Sequence, residues 1–233
     1  RAMTARCWHD SNKQPLLALH GWLDNAATFD LLAPLLSDFY IVALDFAGHG
    51  WSEHRAAGTR YHILDHVDDV LSIVNQLGWQ RFTLMGHSMG AGVASLLSSA
   101  LPERVEKLVM IEGLGPYTGK PEDAAKHLRT ALLEWQEFSD KPRVIATMEI
   151  AIQARMNGLL PVSEHAARLL CTRGVKEVAG SLMWTADKRL RLSSPSRFSE
   201  AQVCAFLAAI TVPTLLIMAE KSLPFNPHDY AAR

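Results

Sequence analysis

Gly86-His87-Ser88-Met89-Gly90 follows the short apolar run Phe82-Thr83-Leu84-Met85 and precedes the small-residue stretch Ala91-Gly92-Val93-Ala94-Ser95-Leu96-Leu97. A strand, a tight turn and a helix in that order account for both glycines. Strand and helix pack closely at such a turn, and a Cβ at either glycine would clash. The strained turn is expected to hold the Ser88 hydroxyl exposed above the sheet, with the first amides of the helix aimed near it.

Outward from this stretch, short apolar runs alternate with helical patterns. Pro15-Leu16-Leu17-Ala18-Leu19 reads as a buried strand ending at His20-Gly21. Tyr40-Ile41-Val42-Ala43-Leu44 reads as another, ending at Asp45 before the loop Ala47-Gly48-His49-Gly50. Residues 3–8 alternate loosely, as an outer strand would. A helix is expected over residues 26–36, with Phe29, Leu32 and Leu36 on one face. The clearest amphipathic helix places Leu64, Val67, Val70, Leu71, Val74 and Leu77 at three- and four-residue spacing and closes at Gly78. Lys107-Leu108-Val109-Met110-Ile111 and Thr214-Leu215-Leu216-Ile217-Met218 are further strands. Short apolar strands separated by helices imply parallel βαβ units, hence an α/β fold whose sheet is covered by helices on both faces.

The rhythm changes after Glu112-Gly113-Leu114-Gly115-Pro116. Residues 121–173 show helical patterns only. One helix runs through Leu128, Leu132, Leu133 and Trp135, a second covers residues 144–156 and a third 163–170; residues 182–192 fit no element clearly. Ser199-Glu200-Ala201-Gln202 then opens a helix as a capping box, with Val203, Phe206, Leu207 and Ile210 on its apolar face, and Pro213 breaks the chain before the last strand. The expected organisation is a core at residues 1–114, a helical lid at 115–194 and the remainder of the core at 195–233.

A chain of 233 residues buries one large core, or a core with a small appended domain. Its 23 lysines and arginines against 24 acids create no field that would recruit nucleic acid or a membrane surface. No apolar run approaches the roughly 20 residues of a membrane span, and no signal-peptide pattern is present. Cys7, Cys171 and Cys204 are odd in number and scattered, and form neither a disulfide framework nor a metal-ligand cluster. A cytoplasmic protein with no metal and no cofactor is expected. The chain opens on Arg1, so a targeting segment before it is left open.

Three patterns now stand in order: His20-Gly21-Trp22 after one strand, Asp45-Phe46-Ala47-Gly48-His49-Gly50-Trp51-Ser52 after the next, and Gly86-His87-Ser88-Met89-Gly90 after a third. From about Pro15 to Met218 the chain resembles the α/β-hydrolase superfamily, in which G-x-S-x-G forms the nucleophile elbow. The string His20-Gly21-Trp22-Leu23-Asp24-Asn25-Ala26-Ala27-Thr28-Phe29 is similar to the serine-hydrolase-like branch, near capped esterases and haloalkane dehalogenases. The resemblance implies a lid inserted after the family's sixth strand. It makes Ser88 the nucleophile and gives the oxyanion two backbone donors, the amides of Met89 and Trp22.

His20 and Gly21 would shape the oxyanion loop, and His87 the elbow. Asp45 would anchor the loop that carries His49. Asp24 and Asn25 either line the pocket mouth or cap the following helix. Trp135, Met148, Met156, Leu159, Met183 and Trp184 give the lid its apolar content, as pocket roof or as lid core, and Trp184 begins Trp184-Thr185-Ala186-Asp187-Lys188-Arg189, which resembles a recurrent lid feature of the branch.

A serine hydroxyl needs a base, and the base an orienting acid. The family commonly places the acid after its seventh strand, where this chain reads Ala219-Glu220-Lys221-Ser222 without the usual aspartate. Some relatives carry it after the sixth strand, where Glu112 stands. Glu112 is the expected triad acid and Glu220 the alternative. The histidine belongs after an eighth strand. His228 lies where a helix should begin, and the base is expected in sequence beyond Arg233. The implied activity is cleavage of carboxylic esters or related small acyl compounds through an acyl-serine intermediate, since dehalogenating relatives use a carboxylate at the elbow. The alternatives are a non-ester reaction on the same fold (carbon–carbon hydrolysis, a lyase or a cofactor-free peroxidase) and a ligand-binding or scaffold member lacking its base.

Overall fold

Strands that are apolar on both faces need cover on both faces, and this chain supplies it with different elements on each side. The structure, a computed structural model, describes residues 1–141, 144–158, 161–220 and 227–233, the last segment by backbone alone at 227–229. The first half contains β1 (Ala5–Trp8), β2 (Gln14–Leu19), β3 (Phe39–Leu44), α1 (Ile63–Gln76), β4 (Phe82–His87), α2 (Met89–Ala100) and β5 (Val105–Ile111). There follow α3 (Ala124–Glu137), β6 (Val144–Ile145), α4 (Met148–Met156), α5 (Glu164–Gly174), β7 (Val175–Val178) and β8 (Ser181–Trp184). The chain then returns through α6 (Glu200–Ala208) to β9 (Thr214–Ile217) and ends in α7 (Pro227–Ala232).

The main sheet has the order β1-β3-β2-β4-β5-β9. Its edge strand β1 is antiparallel to β3, and every other pair is parallel. On one face Leu17, Leu19, Leu44, Phe82, Leu84 and Leu108 pack with Val70 and Val74 of α1 and Ala94 and Leu97 of α2. On the other, Leu16, Ala18, Ile41, Ala43 and Met85 meet Ala26, Phe29 and Ala33. Adjacent residues of β2 thus serve opposite cores, which is why its sequence reads as a continuous apolar run. Strand β9 pairs with β5, and Leu215, Leu216 and Ile217 remain exposed. Among the described residues no helix is long and apolar enough to cross a membrane.

Three local expectations are corrected. Residues 26–36 form two short 3-10 turns, Ala26–Phe29 and Ala33–Leu35, instead of one α-helix. Pro34 lacks the N–H that would bond the Asp30 carbonyl, and its ring would clash there. Val144–Ile145 is a strand, with Ile145 opposite Leu182, and the helix starts only after Thr147, whose side chain accepts from the Ile150 amide. Residues 175–184 form a hairpin in which Ala179 and Gly180, both at positive φ, make the two-residue turn. Its strands complete a separate sheet of order β6-β8-β7, so the segment inserted between β5 and α6 is helical and stranded, not helical alone. In α3, Leu128, Leu132 and Leu133 are exposed, and Ala131 is the buried residue. Leu159 lies outside the described residues.

Candidate active site

Strand β4 delivers Ser88 to the end of the sheet, and α2 begins directly after it. A Cβ at Gly86 would collide with the carbonyl of Gly90, and one at Gly90 with the carbonyl of Leu19. Strand, elbow and helix therefore touch through backbone, and glycine alone fits both places. Ser88 sits at φ 52° and ψ −115°, a conformation that L-residues rarely adopt, and its amide donates to Ile111 O at 2.8 Å. The Ser88 carbonyl is spent on the Ala91 and Gly92 amides. Among the described residues, neither the Met89 nor the Trp22 amide donates to a protein acceptor.

The Trp22 amide lies in a loop fixed from beneath. His20 is fully buried; its Nδ1 donates to Gly21 O at 2.7 Å and its Nε2 accepts from the Phe46 amide at 3.1 Å. Burial holds this ring neutral, with its pKa below the ordinary value. A Cβ at Gly21 would stand 3.3 Å from the Ser88 Cβ, which places the loop against Ser88. Residues 21–24 then turn, with the Asp24 amide on Gly21 O and Leu23 at φ 62°.

Glu112 immediately follows β5, as Ser88 follows β4, and His87 pairs with Ile111 in register. The two functional candidates therefore leave adjacent parallel strands at the same end. The Glu112 amide bonds Ile217 O at 2.9 Å, and its carboxylate accepts from the Ala219 amide. Glu220 is an exposed turn residue three positions past β9. Lys221 and Ser222 lie outside the described residues, as does the side chain of His228.

His87 packs its ring against Gly21, and its buried Nδ1 has no hydrogen bond among the described residues. Burial lowers its pKa against the opposing pull of Asp24 and Glu112, while Arg155 acts with burial. These charges gather around the elbow. Asp24 and Trp184, both expected at the pocket, line one small cleft with Leu23, Arg155, Leu170 and Thr185. Ser88, Trp22, Met89 and Glu112 are not among its lining residues; Asp24 is the bridge between cleft and elbow. Asn25 caps the turn after it, its side chain accepting from the Ala27 amide at 3.0 Å.

Two buried carboxylates tie the inserted segment to the core. Asp45 is fully buried and accepts from Arg173 of α5, the amides of Ala26 and Trp51, and the Thr4 hydroxyl. Burial alone would raise this carboxyl, but the Arg173 guanidinium and the two amides outweigh it and hold the group ionised. Asp187 accepts from Tyr61 at 2.7 Å and from Arg189, and its amide donates to Gly48 O at 2.8 Å. Arg189 in turn bonds the carbonyls of Arg55, Ala56 and Thr59. The stretch Trp184–Arg189 is thus a docking knot. Arg155, Arg173 and Tyr61 carried no signal in the sequence, because their partners lie far away along the chain.

His49, between its two glycines, is part of a buried ring cluster with His20, Phe46 and His66. Burial pushes His66 down to about 3 and lowers His20 and His49 as well. An unfolded chain takes up protons on these groups below about 6.5 and the folded one does not, so stability falls as pH drops from about 6.5 toward 3. At pH 5, His66 alone is expected to cost about 2 kcal/mol. Thermal unfolding at pH 7.5 and pH 5 tests this: the fall should shrink in His66→Gln, and an equal fall in variant and parent would contradict it.

Comparison with known proteins bears on the family and the fold. The family model for the alpha/beta hydrolase fold matches residues 14–232. A serine hydrolase-like protein of Danio rerio is 33% identical over 99% of this chain and 73% of its own length. Serine hydrolase-like protein 2 of Homo sapiens is 34% identical over 93% of this chain and 71% of its own. Among solved structures, the hypothetical protein PA1622 from Pseudomonas aeruginosa PAO1 shares 45% identity at a TM-score of 0.93, covering 99% of this chain and 82% of that one. A thioesterase domain from the curacin biosynthetic pathway shares the fold, at a TM-score of 0.83 and 24% identity over 100% of this chain and 88% of that one.

Proposed function

The chain belongs to the α/β-hydrolase superfamily, in its serine-hydrolase-like branch, and on that premise we propose that it cleaves small carboxylic esters or related acyl compounds through an acyl-Ser88 intermediate. The observation that carries this reading is a serine held at positive φ together with the Trp22 and Met89 amides, which donate to no acceptor among the described residues. Ser88 Oγ attacks the acyl carbon. The carbonyl oxygen takes the developing negative charge and receives the two amides, which need no reorganisation at that moment. The proton leaves Ser88 for a histidine that Glu112 orients and then passes to the leaving group; water repeats the cycle to release the acid. Glu112 is preferred to Glu220 because it leaves the sheet beside Ser88 and is held there by the Ala219 amide. In this reading residues 1–114 and 195–233 form the catalytic core, residues 115–194 a cap over it, and Asp24 and Trp184 the wall that a small-molecule substrate meets.

A fluorophosphonate probe should label the full-length protein at Ser88, and Ser88→Ala should abolish the label. Labelling that survives this substitution, or none in the parent, would overturn the proposal. The second outcome would favour the binding-protein reading.

A further inference from the structure

We propose that the inserted segment holds the oxyanion turn at residues 21–24 in its working shape, through Trp22 and Arg155, and so belongs to the catalytic apparatus as well as roofing it; this rests on the serine-hydrolase reading above. The turn supports itself poorly. Its single internal backbone bond, Asp24 N to Gly21 O, is long at 3.2 Å. Leu23, between the two ends, is in the left-handed region at φ 62°, which a residue with a side chain leaves readily when nothing holds it.

Beneath it, His20 Nδ1 fixes the Gly21 carbonyl; the remaining ties come from far along the chain. The Trp22 indole donates to Leu190 O at 2.9 Å. Asp24 accepts from Arg155 of α4 at 2.7 Å. Asn25 donates to Leu170 O of α5 at 2.9 Å. Three residues of the stretch 22–25 are therefore bonded to the insert, on both sides of the strained Leu23. The anchors are themselves fixed. Leu190 follows Asp187, which is tied to Tyr61 and Gly48, and α5 ends at Arg173, which is tied to Asp45. Core holds insert, and insert holds the turn that carries the Trp22 amide.

Trp22 therefore has two separable parts, an amide for the oxyanion and an indole for position. Arg155 is a positioning residue that acts through Asp24. The test compares phosphonylation of Ser88 by a fluorophosphonate in the full-length protein, and hydrolysis of p-nitrophenyl acetate, for Trp22→Phe, Arg155→Met and Arg155→Lys. Complete loss of one oxyanion donor lowers turnover by about 10²- to 10³-fold, so a loosened turn should slow labelling by about tenfold to a hundredfold. The loss should fall on kcat with KM near the parent value, and in Trp22→Phe the unfolding temperature should change little. Arg155→Lys, which keeps the charge, should recover part of the rate.

Parent-like labelling in both Trp22→Phe and Arg155→Met overturns the inference while the hydrolase reading stands. So does a loss carried by KM, or an Arg155→Lys no better than Arg155→Met. A parent that is not labelled at all defeats the hydrolase reading instead. If Arg155→Met fails to fold, Trp22→Phe decides by the same criterion.

Discussion

Glu112→Gln is expected to slow acylation of Ser88 by about 10³- to 10⁴-fold with the fold intact. The scale is that of a triad whose acid no longer holds its histidine in the right tautomer. The substitution is mild structurally, since the glutamine oxygen still accepts the Ala219 amide and only the charge is lost. Glu112 also sits at φ 52°, directly after a buried strand, a placement with little structural advantage of its own. Burst kinetics with p-nitrophenyl acetate, run beside Glu220→Gln, would measure the effect. A large loss in Glu220→Gln with none in Glu112→Gln would move the acid to the exposed turn past β9.

Asp45→Asn should destabilise the protein more than any surface change. Asp45 is fully buried and Arg173 nearly so, at 5% exposure. Removing one member of such a pair leaves an uncompensated buried charge, at a cost of about 3–5 kcal/mol. For a domain of this length that corresponds to a fall in Tm of roughly 6–20 °C. Arg173→Met added to Asp45→Asn should recover part of the loss, because the stranded guanidinium is then gone. A Tm for Asp45→Asn within about 2 °C of the parent would show that Thr4, Ala26 and Trp51 suffice without the charge.

What could be read in the sequence, and what could not, follows from the range of the interactions involved. The central strands β2, β3 and β4 are largely apolar on both faces and stand out as runs. The elbow shows itself because two close backbone approaches exclude every residue but glycine at positions 86 and 90. Capping is local as well, and Ser199–Gln202 forms the capping box expected of it. The 3-10 turns present the same apolar face a helix would, and Pro34 is the break between the two readings. Strands β6, β7 and β8 are two to four residues long and partly exposed, too short to develop a period. The ties at Asp45 and Asp24 join residues 128 and 131 positions apart, and nothing near either partner announces them.

Those ties also constrain how the insert can change. An insert joined to its core by flexible linkers could be exchanged between relatives as a module. Here Arg173 satisfies a carboxylate at the heart of the core, and Asp187 organises the loop from Gly48 to Tyr61. A transplanted insert would have to bring both groups with it or leave ionised groups stranded in the recipient. On the proposed hydrolase reading, variation in substrate preference is therefore more accessible through point changes in the cleft wall, at positions such as Leu170 and Trp184, than through wholesale replacement of the segment.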